Sequence, residues 1–136
     1  MDITTPLKVY GYIIDPGILI DLEGAMLVKY ILHKNGKSFV WAMSPLKKGP
    51  LSLISFLLKN SRKGPIAKRV LLQEAFDEAG LCTSQQRLWQ IIKELQSCLE
   101  QVGAPENLIV NHPRRGVSVE YSYIRRLYVE PEEILL

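Results

Sequence analysis

The sequence predicts an α+β domain in which an antiparallel sheet is followed by three helices and a C-terminal β-hairpin. Short apolar runs separated by turn signals fill residues 1–43. Apolar residues at helical spacing then recur in three segments between 44 and 103. Finally, the stretch "LIVNHPRRGVSV" at 108–119 places two apolar runs around the tip His112-Pro113-Arg114-Arg115-Gly116.

The first strands are "LKVYGYII" and "GILIDL", divided by Asp15-Pro16-Gly17. Glu23-Gly24 breaks to "AMLVKYIL", and Asn35-Gly36, a strong hairpin signal, leads into "KSFVWA". These four runs predict a four-stranded antiparallel sheet. The pattern changes at Ser44-Pro45. In "GPLSLISFLLKNSRKG", Pro50 suits the first position of a helix, where its missing N–H costs nothing. Leu53, Ile54, Leu57 and Leu58 follow helical spacing until Gly64-Pro65. A second helix is predicted over Ile66 to Ala79, with Val70, Leu71, Ala75 and Phe76 on one face and Gly80 as its stop. The third runs from about Ser84 to Val102, with Thr83 and Gln86 as a capping box and Gly103 and Pro105 beyond. Leu88, Ile92, Leu95 and Leu99 form its apolar stripe, widened by Ile91, Cys98 and Val102. Residues 104–129 supply the hairpin and a terminal strand, the alternation of Val117, Val119, Tyr121 and Tyr123 marking one continuous run. An acidic, apolar-tipped tail, "EPEEILL", completes the 136 residues.

A chain of this length buries enough surface to need no metal or disulfide. Its two cysteines, Cys82 and Cys98, form no Cys-x-x-Cys pair, the usage expected of a reduced, cytoplasmic protein. The start "MDITTPLKV" lacks the apolar core of a signal peptide, and no apolar run is long enough to span a membrane. The expectation is a cytoplasmic chain, either complete or the cytosolic part of a membrane-anchored regulator. "GKS" at 36–38 lacks the preceding glycine of a phosphate loop, since position 31 is Ile. His33 and His112 show no zinc-ligand spacing, and the acids show no paired-carboxylate pattern. The chain is therefore expected to be no enzyme and to carry no cofactor or metal.

Net charge is only +3, but it is unevenly spread. Residues 1–44 carry four basic and four acidic groups, residues 45–116 eleven and six, and residues 117–136 two and four. The positive middle points to an anionic partner. The polar face of the third helix is Gln86, Gln90, Lys93, Ser97 and Gln101, with Trp89 on its rim. Its N-terminal half is rich in amides and almost free of acids, whereas a merely solvated face usually mixes both charges. Gln amides can read adenine edges, and Lys can reach guanine or phosphate. Trp89 either packs sideways against a neighbouring helix or sheet or meets the partner. Lys68 and Arg69 open the second helix, where cations oppose the helix dipole.

Helix, helix, amide-rich helix, then a hairpin with an Arg-Arg tip is the order of a winged helix. One helix enters the roughly 12 Å major groove. A basic wing meets phosphates or the minor groove. The region resembles the winged-helix effector domain of OmpR/PhoB-type response regulators, found also in the cytoplasmic part of CadC- and ToxR-like regulators. "GPIAKRVLLQEAF" resembles the family's second helix, "SQQRLWQIIKELQSCL" its recognition helix and "LIVNHPRRGVSV" its wing. The chain departs from the family at Gln96, where Arg is usual, at Val117, where an aromatic is usual, and at Ala67, where Ser or Thr is usual.

The reading that follows is a sequence-specific, double-stranded-DNA-binding transcription regulator. Gln86, Trp89, Gln90 and Lys93 would face the major groove. Arg114 and Arg115, with His112 nearby, would meet the minor groove or its phosphates. Lys68 and Arg87 would hold the backbone. The resemblance also implies an RNA polymerase contact through "DEAGLCTSQ", and binding as a dimer or in tandem. The alternative is a winged-helix protein–protein adaptor, favoured by the modest net charge and the acidic tail.

Overall fold

In the computed structural model, which describes residues 8–14, 17–32, 35–77, 84–120 and 124–129, the four expected strands come first along the chain. They are β1 (Lys8–Ile14), β2 (Ile18–Asp21), β3 (Met26–Leu32) and β4 (Ser38–Pro45). Each pairs antiparallel with the next, and the register decides which side chains share a face. Tyr12 sits opposite Ile20, Ile14 opposite Ile18, Ile20 opposite Leu27, and Leu27 opposite Ser44; all of these are buried. That face meets the helices in a single apolar core.

The sheet has five strands and not the four expected. The last strand, β7 (Ile124–Val129), returns to pair antiparallel with β1, giving the order β4-β3-β2-β1-β7. Without it, β1 would leave a row of backbone donors and acceptors open at the sheet edge. With it, the edge passes to a strand carrying exposed Arg125 and Arg126. Of the continuous run expected through Tyr123, β6 covers Gly116–Val119, and the Glu120 N–H carries the same register one step on by donating to the Leu108 carbonyl at 2.9 Å. Tyr121, Tyr123 and the acidic tail lie outside the described residues.

Helix α1 spans Lys48–Lys59 and buries Pro50, Leu53, Ile54, Leu57 and Leu58. It starts two residues before Pro50, so the proline is the third helical residue. This costs no hydrogen bond, because the first four N–H groups of a helix have no intrahelical acceptor. A Cβ on Gly49 would stand 3.1 Å from Ile91, which shows how closely α1 meets the third helix.

The second helix begins later than the predicted Ile66. Ile66 is extended and bonded to Val117, so helix α2 opens at Lys68. It keeps α geometry over Lys68–Val70 and then widens to π winding over Leu71–Asp77. In π winding, residues five apart align, and Leu71 and Phe76 are both fully buried. Its predicted end at Gly80, and Cys82, lie outside the described residues.

Helix α3 spans Gln85–Gln101. Its cap is Ser84, whose Oγ accepts from the Arg87 N–H at 3.1 Å. This replaces the expected Thr83–Gln86 box. The residue three positions beyond Ser84 is Arg87, which offers no carboxylate or amide oxygen to return the bond. Thr83 lies outside the described residues. At the other end Gly103, at φ +76, donates to the Glu100 carbonyl, and the Ala104 N–H reaches back to Leu99 at 3.0 Å. This is the left-handed glycine stop that Gly103 predicts. Strands β5 (Ile109–His112) and β6 (Gly116–Val119) form the expected hairpin. Among the described residues, no helix is long and apolar enough to cross a membrane.

Candidate nucleic-acid interface

The stripe Leu88, Ile91, Ile92, Leu95 and Leu99 turns one side of α3 into the core. The opposite arc is thereby fixed outward. Gln86, Arg87, Gln90, Lys93, Ser97 and Gln101 are all exposed, and Trp89 is 40% exposed. The first turn of α3 contains no acid. The first one along the helix, Glu94, is half-buried and lies 3.8 Å from Lys47 Nζ, a contact with little energetic weight at this exposure. The N-terminal half of α3 is thus a polar, cationic arc.

Of the two alternatives expected for Trp89, the structure shows the contact with a neighbouring helix. The ring also stays on the surface. Lys68 Nζ, from the first residue of α2, lies 5.0 Å from its ring centroid, and Lys93 Nζ lies 5.7 Å away. Each such contact at an exposed ring is worth about 0.5–1 kcal/mol. The ring therefore gathers a cation from α2 and one from α3 at a single point. Lys68, Gln85, Gln86, Leu88 and Trp89 line a shallow depression there. Gln85 belongs to this surface as well, a residue that helical spacing alone does not mark. Its signal was its place beside Gln86 in the first turn of α3.

Arg87 and Gln90 form a second pair. Arg87 Nη1 donates to Gln90 Oε1 at 3.3 Å. With its oxygen held toward the guanidinium, the Gln90 amide presents its NH₂ donors outward.

The hairpin tip is a tight turn. The Arg115 N–H donates to the His112 carbonyl at 3.1 Å, so His112 to Arg115 are the four residues of a β-turn. Pro113, with its fixed φ, takes the second position and Arg114, at φ +67, the third. That is the type II pattern, whose third position favours Gly or Asn. Arg114 therefore holds a left-handed conformation at a cost of about 1–2 kcal/mol. Pro113, Arg114 and Arg115 are exposed. His112 is not at the tip with them. It is half-buried, and its Nε2 lies 2.8 Å from Ser118 Oγ across the hairpin. Arg114→Gly should relieve the turn and raise the unfolding free energy by about 0.5–1 kcal/mol, because glycine adopts this conformation freely. Urea titration of the two proteins checks this, and no gain would show that the turn is unstrained.

The hairpin is fixed to the start of α2. Ile66 and Val117 exchange two backbone bonds, N–H of each to carbonyl of the other, at 2.8 and 2.9 Å. Gly116 makes this approach possible. At φ +116, a Cβ there would overlap the Ile66 carbonyl oxygen. Only Ala67 separates Ile66 from Lys68, so the base of the hairpin and the Lys68–Trp89–Lys93 group spring from adjoining backbone. The structure thus joins Lys68 and Lys93 at the Trp89 ring, puts Gln86 in the depression beside it, and sets Arg87 and Gln90 beside each other on the same helix. It holds Arg114 and Arg115 on a separate projection and ties His112 back to Ser118.

Comparison of the chain with protein-family models and with curated proteins gives no match to either.

Proposed function

We propose that the chain is a winged-helix regulator of transcription that binds specific double-stranded DNA. The observation that carries this is the cationic, acid-free arc on the N-terminal half of α3, centred on the Lys68–Trp89–Lys93 group. In this reading α3 lies in the major groove. Gln90, with Gln86, reads base edges through its amide. Lys68, Arg87 and Lys93 meet phosphates, whose contacts set position and not sequence. The hairpin is the wing, and Arg114 and Arg115 reach the adjacent minor groove or its phosphates, where a narrow groove attracts cations. Strain kept at Arg114 fits a residue retained for its charge at that point.

The RNA polymerase contact implied by the resemblance falls largely on residues 78–83, outside the described residues. A role as a protein adaptor keeps one specific observation in its favour. Val40, Trp41 and Met43 on β4 are exposed apolar side chains far from the cationic arc in sequence.

A DNA-selection experiment on the purified chain, followed by mobility-shift titrations over a range of salt, tests the proposal. Specific binding should emerge, with log affinity falling steeply and linearly with log salt as phosphate-bound counterions are released. An adaptor would show no such dependence. Within the selected site, Gln90→Ala should relax preference at one base pair, at a cost of about 1–3 kcal/mol there, and leave the other positions unchanged. A uniform loss across all sequences would remove Gln90 from base reading.

A further inference from the structure

Arg87 and Gln90 lie three residues apart on α3, so their side chains share one side of the helix. Both are exposed, and Arg87 Nη1 donates to Gln90 Oε1 at 3.3 Å. Chemistry allows only this orientation of the amide. A guanidinium carries donors and no acceptor, so a carboxamide can meet it only through its oxygen. Turned the other way, the Gln90 NH₂ group would set donor against donor beside a full positive charge.

The bond changes what Gln90 offers a base. A free carboxamide holds a donor and an acceptor side by side, which matches the N6–H₂ and N7 of adenine. With Oε1 turned to Arg87, the outward edge is the NH₂ group alone, a donor. The residues that follow along the arc supply no acceptor in its place. Lys93 is exposed and donates only. Glu94 is half-buried and lies 3.8 Å from Lys47 Nζ. Gln86, one turn earlier, has an acceptor of its own but meets a different base pair. Four residues of helix rise about 6 Å, nearly two base steps of about 3.4 Å.

A donor-only group is matched by neighbouring acceptors. Guanine presents O6 and N7 together in the major groove, and thymine presents O4 alone. Adenine sets an N6–H₂ donor beside its N7, and cytosine presents an N4–H₂ donor. Those donors would oppose the Gln90 NH₂. Adenine becomes readable only if Oε1 leaves Arg87. That bond involves a charged donor, and it strengthens where a bound groove excludes water and lowers the local dielectric. The remaining guanidinium N–H groups stay free to meet a phosphate.

We infer that Arg87 is a positioning residue that holds the Gln90 oxygen and thereby makes Gln90 select guanine over adenine. The inference rests on the DNA-binding reading, and its test separates the two. In sites selected by the full chain, the base pair whose preference Gln90→Ala relaxes should carry guanine. Replacing that guanine by adenine should lower affinity about tenfold or more. 7-Deazaguanine, which lacks the N7 acceptor, should lower it roughly two- to tenfold, one hydrogen bond's worth. Inosine keeps O6 and N7 and should bind within about twofold of guanine. Arg87→Met removes the donor at similar length. It should move the preference at that base pair toward adenine, because the freed amide again offers donor and acceptor. Far-UV circular dichroism should stay unchanged, since both side chains are exposed. An Arg87 that only meets phosphate predicts a different result for the methionine variant, weaker binding to every site with guanine still preferred; that result overturns the inference. A specific site with adenine, thymine or cytosine at this base pair, or one insensitive to 7-deazaguanine, overturns it and leaves DNA binding standing. Selection that yields no specific site overturns both.

Discussion

Gly116→Ala should lower the unfolding free energy by about 3–5 kcal/mol, from a typical domain total of roughly 5–15 kcal/mol. The new methyl would meet backbone atoms, the Ile66 carbonyl and the Ala67 nitrogen, and not a flexible side chain that can step aside. The left-handed conformation adds its own cost. Relief requires the hairpin to move away from Ile66, which breaks the two bonds between Ile66 and Val117 at about 1 kcal/mol each. It also loosens Val117 and Val119 from the core. Urea unfolding followed by far-UV circular dichroism measures the loss. A change below about 1 kcal/mol would mean that the hairpin is not held by this approach. DNA affinity should fall in the same variant, because the displaced hairpin no longer springs from beside Lys68.

Arg114→Ala with Arg115→Ala should leave stability nearly unchanged and reduce DNA affinity at every sequence tested. Both side chains are exposed, and alanine gains little from the turn because it shares the penalty at φ +67. If each arginine neutralises one phosphate, the slope of log affinity against log salt should decrease by about two. If they enter the minor groove instead, affinity for flanks with a narrow, A·T-rich groove should fall the most. Mobility-shift titration at several salt concentrations separates these outcomes. Unchanged affinity at low salt would remove the hairpin tip from the interface.

The hairpin was legible because each part of it is local. Two apolar runs, a proline and a glycine lie within a dozen residues, and turn chemistry joins them. The same holds for α3, whose stripe repeats over four turns and whose stop at Gly103 follows from backbone geometry. The return of β7 to β1 was not legible, since strands so far apart in sequence leave no shared local signal. The start of α2 at Lys68, later than the helical pattern from Ile66 predicts, has a related cause. Ile66 fits a helical pattern, but a partner some fifty residues away, Val117, draws it into an extended pairing. Lys68, Trp89 and Lys93 were each visible as candidates, while their meeting at one ring is a product of tertiary packing.

The pairing of β1 with β7 also sets an order of events. Lys8 finds its partner at Val129, and Ile14 at Ile124, so β1 waits for β7, more than a hundred residues later in synthesis. At a synthesis rate of roughly 5–20 residues per second, β1 spends several seconds outside the ribosome with one edge unpaired. Loop closure over such a distance is slow even for the finished chain. The helices and the hairpin can form from local contacts in that interval. The sheet is therefore completed last, and each newly made molecule passes through a stage in which its first strand is open to a wrong partner.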